Sequence, residues 1–158
     1  MRRSLSLAAA LLAVAAGTAR AQGTTGSINA TASVVAALSV TGTNLAFGNI
    51  APTSFKTIAP ASGGTFTVTG ANSQPVSVTF GLPANLGAAS VAIGSWTGLS
   101  NTANSVVGAA ALTPSASAQT LSLSGTGNLY VWIGATVTTT AAPVASYTAP
   151  VTMTVVYN

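Results

Sequence analysis

Cysteine, histidine, aspartate and glutamate are all absent from this sequence. Each absence closes off a class of chemistry. Without a thiol no disulfide can staple the fold, although export to an oxidising compartment would have permitted one. Stability must then come from an apolar core and a backbone hydrogen-bond ladder. Without thiolates, imidazoles or carboxylates there is no ligand set for zinc, calcium or magnesium. General acid–base catalysis draws on His, Asp, Glu, Lys or Tyr, and only one lysine and three tyrosines remain to supply it. No Ser-x-x-Lys spacing leads to Lys56, and the scattered glycines form no phosphate loop. The expectation is a protein with no catalytic residue, no metal and no cofactor, and so not an enzyme.

Positive charge is equally scarce, and it is gathered at one end. The four basic residues are Arg2, Arg3, Arg20 and Lys56. Met1-Arg2-Arg3 makes a positive start, Leu5 to Ala16 an apolar stretch, and Ala19-Arg20-Ala21 a small-x-small cleavage site; together they predict a signal peptide over residues 1–21. The mature chain then runs from Gln22 to Asn158 as one domain. It is expected outside the cell or on its surface, after export through the periplasm. Its single charged side chain is Lys56, which excludes the clustered Lys/Arg footprint of a nucleic-acid partner. The apolar stretch is too short to span a bilayer, and no later segment is long enough. An apolar content of 49% argues against disorder.

What the sequence does contain is alternation. Ile28, Ala30, Ala32, Val34, Ala36, Leu38 and Val40 are separated mostly by polar or small residues, a period of two that predicts a strand. Both faces turn apolar around Val35 to Ala37, which marks a bend or a change of partner. Thr41 to Asn44 reads as a turn, Leu45 to Ile50 as a short strand with a bulge at its glycine, and Ala51 to Ala61, holding Pro52 and Pro60, as a loop or irregular edge. Thr65 to Thr69 and Val76 to Leu82 each place apolar residues on one face. Val91 to Trp96 is a weaker strand. Asn101 to Ala118 reads mostly as loop, with room for a strand near Val106. Thr120 to Ser124 and Leu129 to Val137 read as a hairpin joined at Gly125–Asn128. Tyr147 to Tyr157 alternates again, with Pro150 marking an edge or bulge. Seven to nine short strands separated by turns predict an all-β chain, an immunoglobulin-like antiparallel β-sandwich.

Three aromatic residues bear on function. Trp96, Tyr130 and Trp132 are candidate surface aromatics, since Tyr130 and Trp132 fall on the face opposite Leu129, Val131 and Ile133. Such a face stacks on sugars, and the same residues equally serve cross-strand packing or burial against a neighbour.

Taken together, Ala30-Thr31-Ala32, Leu45-Ala46-Phe47-Gly48 and the Tyr147 to Tyr157 ending resemble a bacterial family of small secreted domains of unknown function. The pattern is also similar to chaperone–usher pilins of the archaic, spore-coat-protein-U-like class. That resemblance implies an incomplete sandwich completed by the N-terminal segment of the next subunit. On this chain it implies a donor strand carrying Ile28, Ala30, Ala32 and Val34. It also implies a C-terminal edge strand carrying Tyr147, Val151, Met153, Val155 and Tyr157, whose penultimate aromatic, Tyr157, would be read by a periplasmic chaperone. An outer-membrane usher would be the second assembly partner. The chain departs from such pilins at Ala145, where glycine is usual, and in lacking a cysteine pair.

Two functions are therefore expected in competition. The first is a structural subunit of a surface fibre or pilus, a homo-oligomer growing by β-strand addition at an unpaired edge. The second is a monomeric secreted adhesin or carbohydrate-binding module using Trp96 or Trp132. An outer-membrane barrel is disfavoured, because the aromatics are too thinly spread to form girdles.

The missing acids and imidazoles predict stability that is flat with pH. Linkage requires groups whose protonation differs between folded and unfolded states, and no side-chain type present has a reference value between about pH 4 and 7. The denaturant midpoint across that window should stay constant to within about 1 kcal/mol, less than one pKa unit of a single group. A larger drift would show that composition does not control acid stability here.

Overall fold

The computed structural model describes residues 23–158; the predicted signal peptide and its cleavage site lie outside them. The described residues divide after Ser33. Residues 23–33 carry no helix or strand and are exposed throughout. Residues 34–158 hold nine strands: β1 (Ser39–Thr43), β2 (Ser54–Ile58), β3 (Gly64–Thr69), β4 (Pro75–Gly81), β5 (Val91–Asn101), β6 (Ala110–Leu112), β7 (Gln119–Ser122), β8 (Asn128–Thr139) and β9 (Thr152–Tyr157). One turn of 3-10 helix, Pro60–Ser62, lies between β2 and β3. No helix among the described residues is long and apolar enough to cross a membrane.

The strands form two antiparallel sheets. The larger runs β1-β3-β8-β5-β6, with β2 also paired to β8, and the smaller runs β7-β4-β9. Strand β8 is the axis of the larger one. Its Asn128–Ile133 half pairs with β3, its Ala135–Thr139 half with β2, and its other edge with β5. Thus β2 and β3 lie end to end along one edge of β8, and the chain passes over Gly134 between them. A Cβ on Gly134 would overlap the carbonyl oxygen of Ile58 and come within 2.7 Å of backbone atoms of Ala59 and Pro60. Only glycine permits this crossing.

The sandwich core fills one part of the space between the sheets. Val68, Leu129, Val131, Ile133 and Leu112 of the larger sheet meet Val76, Val78, Phe80 and Met153 of the smaller one, with Leu123 closing an end. Phe66 and Phe80 tilt against each other across the gap, with centroids 6.4 Å apart. A second cluster, Phe47, Val91, Ile93, Ala135, Val137 and Ala142, continues the inner face of β8 and β5. Residues 44–50 and 140–151, neither of which contains a strand, supply Phe47 and Ala142 to it. Fully burying an aliphatic side chain such as Val137 or Ile133 contributes roughly 1.5–3 kcal/mol. Among the described residues no buried side-chain nitrogen or oxygen lacks a hydrogen-bond partner.

The architecture is the predicted all-β sandwich, but several elements differ from the expectation. The long strand from Ile28 to Val40 is absent: residues 23–38 are without secondary structure, and pairing begins only at Ser39. Alternating alanines bury too little surface to hold a strand without a ladder partner. The expected turn Thr41–Asn44 lies largely inside β1, where Gly42 faces the Phe66 ring at 3.4 Å from its Cβ position. Leu45 to Ile50 forms no strand; it buries Phe47 from irregular backbone in which Gly48 has φ +63°. The expected loop 51–61 contains β2. No strand forms near Val106, and β6 lies later, at Ala110–Leu112.

Two further corrections concern connectivity and register. Gly125–Asn128 is not a hairpin turn: β7 pairs with β4 and β8 with β3, so the segment carries the chain from one sheet to the other. Ser124 anchors this corner, its hydroxyl accepting from the backbone N–H groups of Thr126 and Asn128 at 3.2 and 2.9 Å. Strand β5 runs five residues past Trp96, with a register shift between Gly94 and Thr97 and φ +50° at Ser95.

The crossing at Gly134 generates a stability prediction. Gly134→Ala forces the Ile58–Pro60 backbone off β8 and should cost about 1–3 kcal/mol as an overpacked site. Chemical denaturation of the variant checks it; an unchanged midpoint would mean that this crossing gives way freely.

Candidate functional site

The candidate site residues fall in three places. Ile28, Ala30 and Ala32 lie in the strandless stretch 23–33, and Val34 opens the second unit. Their side chains are exposed, Ile28 by 95% and Val34 by 99%. Apolar side chains at that level, in strict alternation, form a ready-made strand face that this chain does not cover.

The C-terminal residues occupy β9 and the segment before it. Strand β9 pairs with β4 along Thr152–Tyr157 and is an outer strand of the three-stranded sheet. It begins later than the alternation suggests: Tyr147, Val151 and Pro150 precede it, and the backbone there is irregular. Met153 is buried in the sandwich core, with Val151, Val155 and Tyr157 packed against it. Tyr147 packs on the second cluster and donates its hydroxyl to Pro143 O at 2.8 Å. Val156, on the opposite face, is 53% exposed.

Tyr157 is committed inside the fold. Its hydroxyl donates to Ala36 O and accepts from the Ala71 N–H, both at 2.6 Å. One side chain thereby ties the chain just before β1 to the β3–β4 loop, at the end of β9.

The three aromatics form no common face, contrary to the surface reading. The register shift in β5 turns Trp96 inward, where it touches both core clusters. Tyr130 and Trp132 do stack on the outer face of β8, with centroids 6.1 Å apart and planes 24° from parallel. Trp132, however, is only 7% exposed. It lies between Thr65 and Leu99 in the ladder, beside the crossing at Gly134. This is cross-strand packing.

A cleft of about 850 Å³ opens where residues 44–50 and 142–151 cover the second cluster, with Leu45, Phe47, Ile93, Val137, Tyr147 and Val151 among its lining. Its wall mixes apolar side chains with neutral polar residues such as Asn44, Asn49 and Thr148, and holds no ionisable group besides Tyr147. Among the described residues no group of His, Cys, Asp or Glu is assembled. Lys56 is exposed on β2 and lies near Gly48.

Two exposed features were not singled out from the sequence. Phe55 of β2 is 71% exposed, opposite Thr138. Strand β1, the outer strand of the larger sheet, is exposed at all five residues. The prolines around β2 and the glycine within β1 disguised both strands as loop and turn. Comparison with protein-family models, curated proteins and solved structures finds no match to this chain.

Removing the Tyr157 hydroxyl should loosen the end of β9. Tyr157→Phe leaves Ala36 O and Ala71 N–H without their partner and should cost about 1–3 kcal/mol, given two lost bonds of ordinary strength. Thermal denaturation measures the loss, and hydrogen exchange should show faster exchange at Ala71. An Ala71 amide as protected as in the parent would contradict the assignment.

Proposed function

We propose that this chain is a structural subunit of a surface fibre or pilus that assembles by β-strand addition. One observation carries the reading: an alternating apolar segment, Ile28 to Val34, stands exposed and outside any strand, in a chain whose smaller sheet has only three strands and ends in β9. The free edge of β9 offers backbone groups to an added strand, and an added strand gains hydrogen bonds together with pockets for alternate side chains. The segment from Ile28 to Val34 is one residue longer than the six residues of β9, enough to run along its whole edge.

Ile28 and Val34 serve as the anchors, and Ala30 and Ala32 fit the narrow part of the groove. The near absence of charge supports the same reading, because nothing electrostatic holds subunits apart. On this proposal the chain is exported by its N-terminal signal, is held by a periplasmic chaperone before assembly, and passes an outer-membrane usher to the cell surface. Trp132 is buried and the partly buried Trp96 packs against both core clusters, which favours this reading over a carbohydrate-binding one.

Ala32→Asp tests the proposal by placing an unpaired charge in whichever groove receives the segment. The expected product is a folded monomer that no longer polymerises and that caps growing parent fibres at one end. Fibres of normal length from the variant, or a parent protein that never polymerises, would overturn the reading.

A further inference from the structure

We infer that β1 is a second, homotypic docking edge, at which two copies pair their β1 strands antiparallel about a two-fold axis through Thr41. The pairing would join their larger sheets into one. It is separate from the β9 edge, which belongs to the other sheet.

Four observations lead there. First, among the described residues β1 has a single ladder partner, β3, and all five of its residues are exposed. Second, it lacks the features that blunt an outer strand. Lysine, proline, inward charge and bulges are the usual ones, yet Ser39-Val40-Thr41-Gly42-Thr43 has none, and its register with β3 runs without a shift.

Third, the strand is complementary to itself. A two-fold centred on Thr41 is the one antiparallel register that pairs all five residues. It sets Thr41 against Thr41, Ser39 against Thr43, and Val40 against Gly42. Hydroxyl-bearing residues then share the outer face, and cross-strand Thr–Thr and Thr–Ser pairs are favourable. On the inner face Val40, 38% exposed, enters the space that Gly42 leaves open beside the half-buried Phe66. Each copy thus supplies the side chain that the other lacks, the mark of an isologous contact.

Fourth, the charge complement permits a second copy. From residue 22 onward Lys56 is the only charged side chain, and it lies on β2. Two β1 edges therefore meet with no like charges opposed. A five-residue contact is small, so an isolated pair binds weakly. Repeated along an assembly, the same contact gains strength through multivalency.

Because the chain has no cysteine, Thr41→Cys supplies its only thiol. The full chain is tested with Ala32→Asp also present, so that strand addition through residues 28–34 does not contribute. Under mild oxidation Thr41→Cys should give a disulfide-linked dimer at least about tenfold faster than Ser39→Cys or the exposed control Thr138→Cys, because only position 41 meets itself within disulfide reach. Sedimentation should show Thr41→Lys and Thr41→Asp as monomers when each is alone. Mixed in equal amounts, at a concentration high enough to populate a weak pair, they should sediment faster than either alone, the opposite charges now facing each other. Cross-linking at position 41 no faster than at the controls, or a mixture that stays monomeric, would overturn the inference. Either result leaves the strand-addition proposal standing, since that proposal rests on residues 28–34.

Discussion

A β-strand has two edges, and β8 must satisfy three neighbours with them. It solves the problem by length. Twelve residues give β5 one whole edge and leave the other to be divided between β3 and β2, end to end. The division requires the chain to leave the sheet and return within a few residues, and it does so over Gly134. The inner face of β8 then presents Leu129, Val131 and Ile133 to the smaller sheet, and Ala135 and Val137 to the second cluster. Both apolar clusters are built on this strand.

The rest of the stability is neutral. With no acid anywhere in the chain, hydroxyls take over the polar connections. Thr139, buried at the end of β8, accepts from Ser54 N–H at 3.0 Å, and its oxygen lies 2.7 Å from Ala51 O, fixing the approach to β2. Ser124 holds the corner between the sheets, and Tyr157 ties down the approach to β1. These contacts are insensitive to acid and to salt, unlike the ion pairs that would occupy such positions in a charged protein.

Much of the fold was legible because large apolar residues alternate where two sheets face each other. The patterns around Val76, Val78 and Phe80, and from Leu129 to Val137, state both the strand and its buried face. Alternation failed where its apolar members are small: from Ile28 to Val34 it reads as a strand, yet the backbone there carries none. It failed again in Leu45 to Ile50, where burial of Phe47 does not need a strand. Gly125-Thr126-Gly127-Asn128 shows that the chain turns but not which sheet it enters next. Trp96 was misplaced because a register shift reverses the facing of every residue beyond it, and neither Gly94 nor Ser95 announces one. As for the candidate site, its exposed segment could be named from sequence. The internal engagement of Tyr157 could not, because its partners Ala36 and Ala71 contribute only backbone atoms.

The order in which strands meet their partners sets a timetable for folding. Ser54 meets Thr139, 85 positions along the chain, and Ala71 meets Tyr157, 86 positions along. During synthesis from the N-terminus, β2 therefore waits for β8, β3 has only β1 beside it until β8 emerges, and β4 has only β7 until β9 emerges. Pairings so distant are slow to form, and two-stranded ribbons are marginal in water. A chain with one charged side chain from residue 22 onward has little to keep such half-built sheets from meeting those of its neighbours. The last strand to arrive closes the smaller sheet, so until then an edge of β4 stands open to any strand that reaches it.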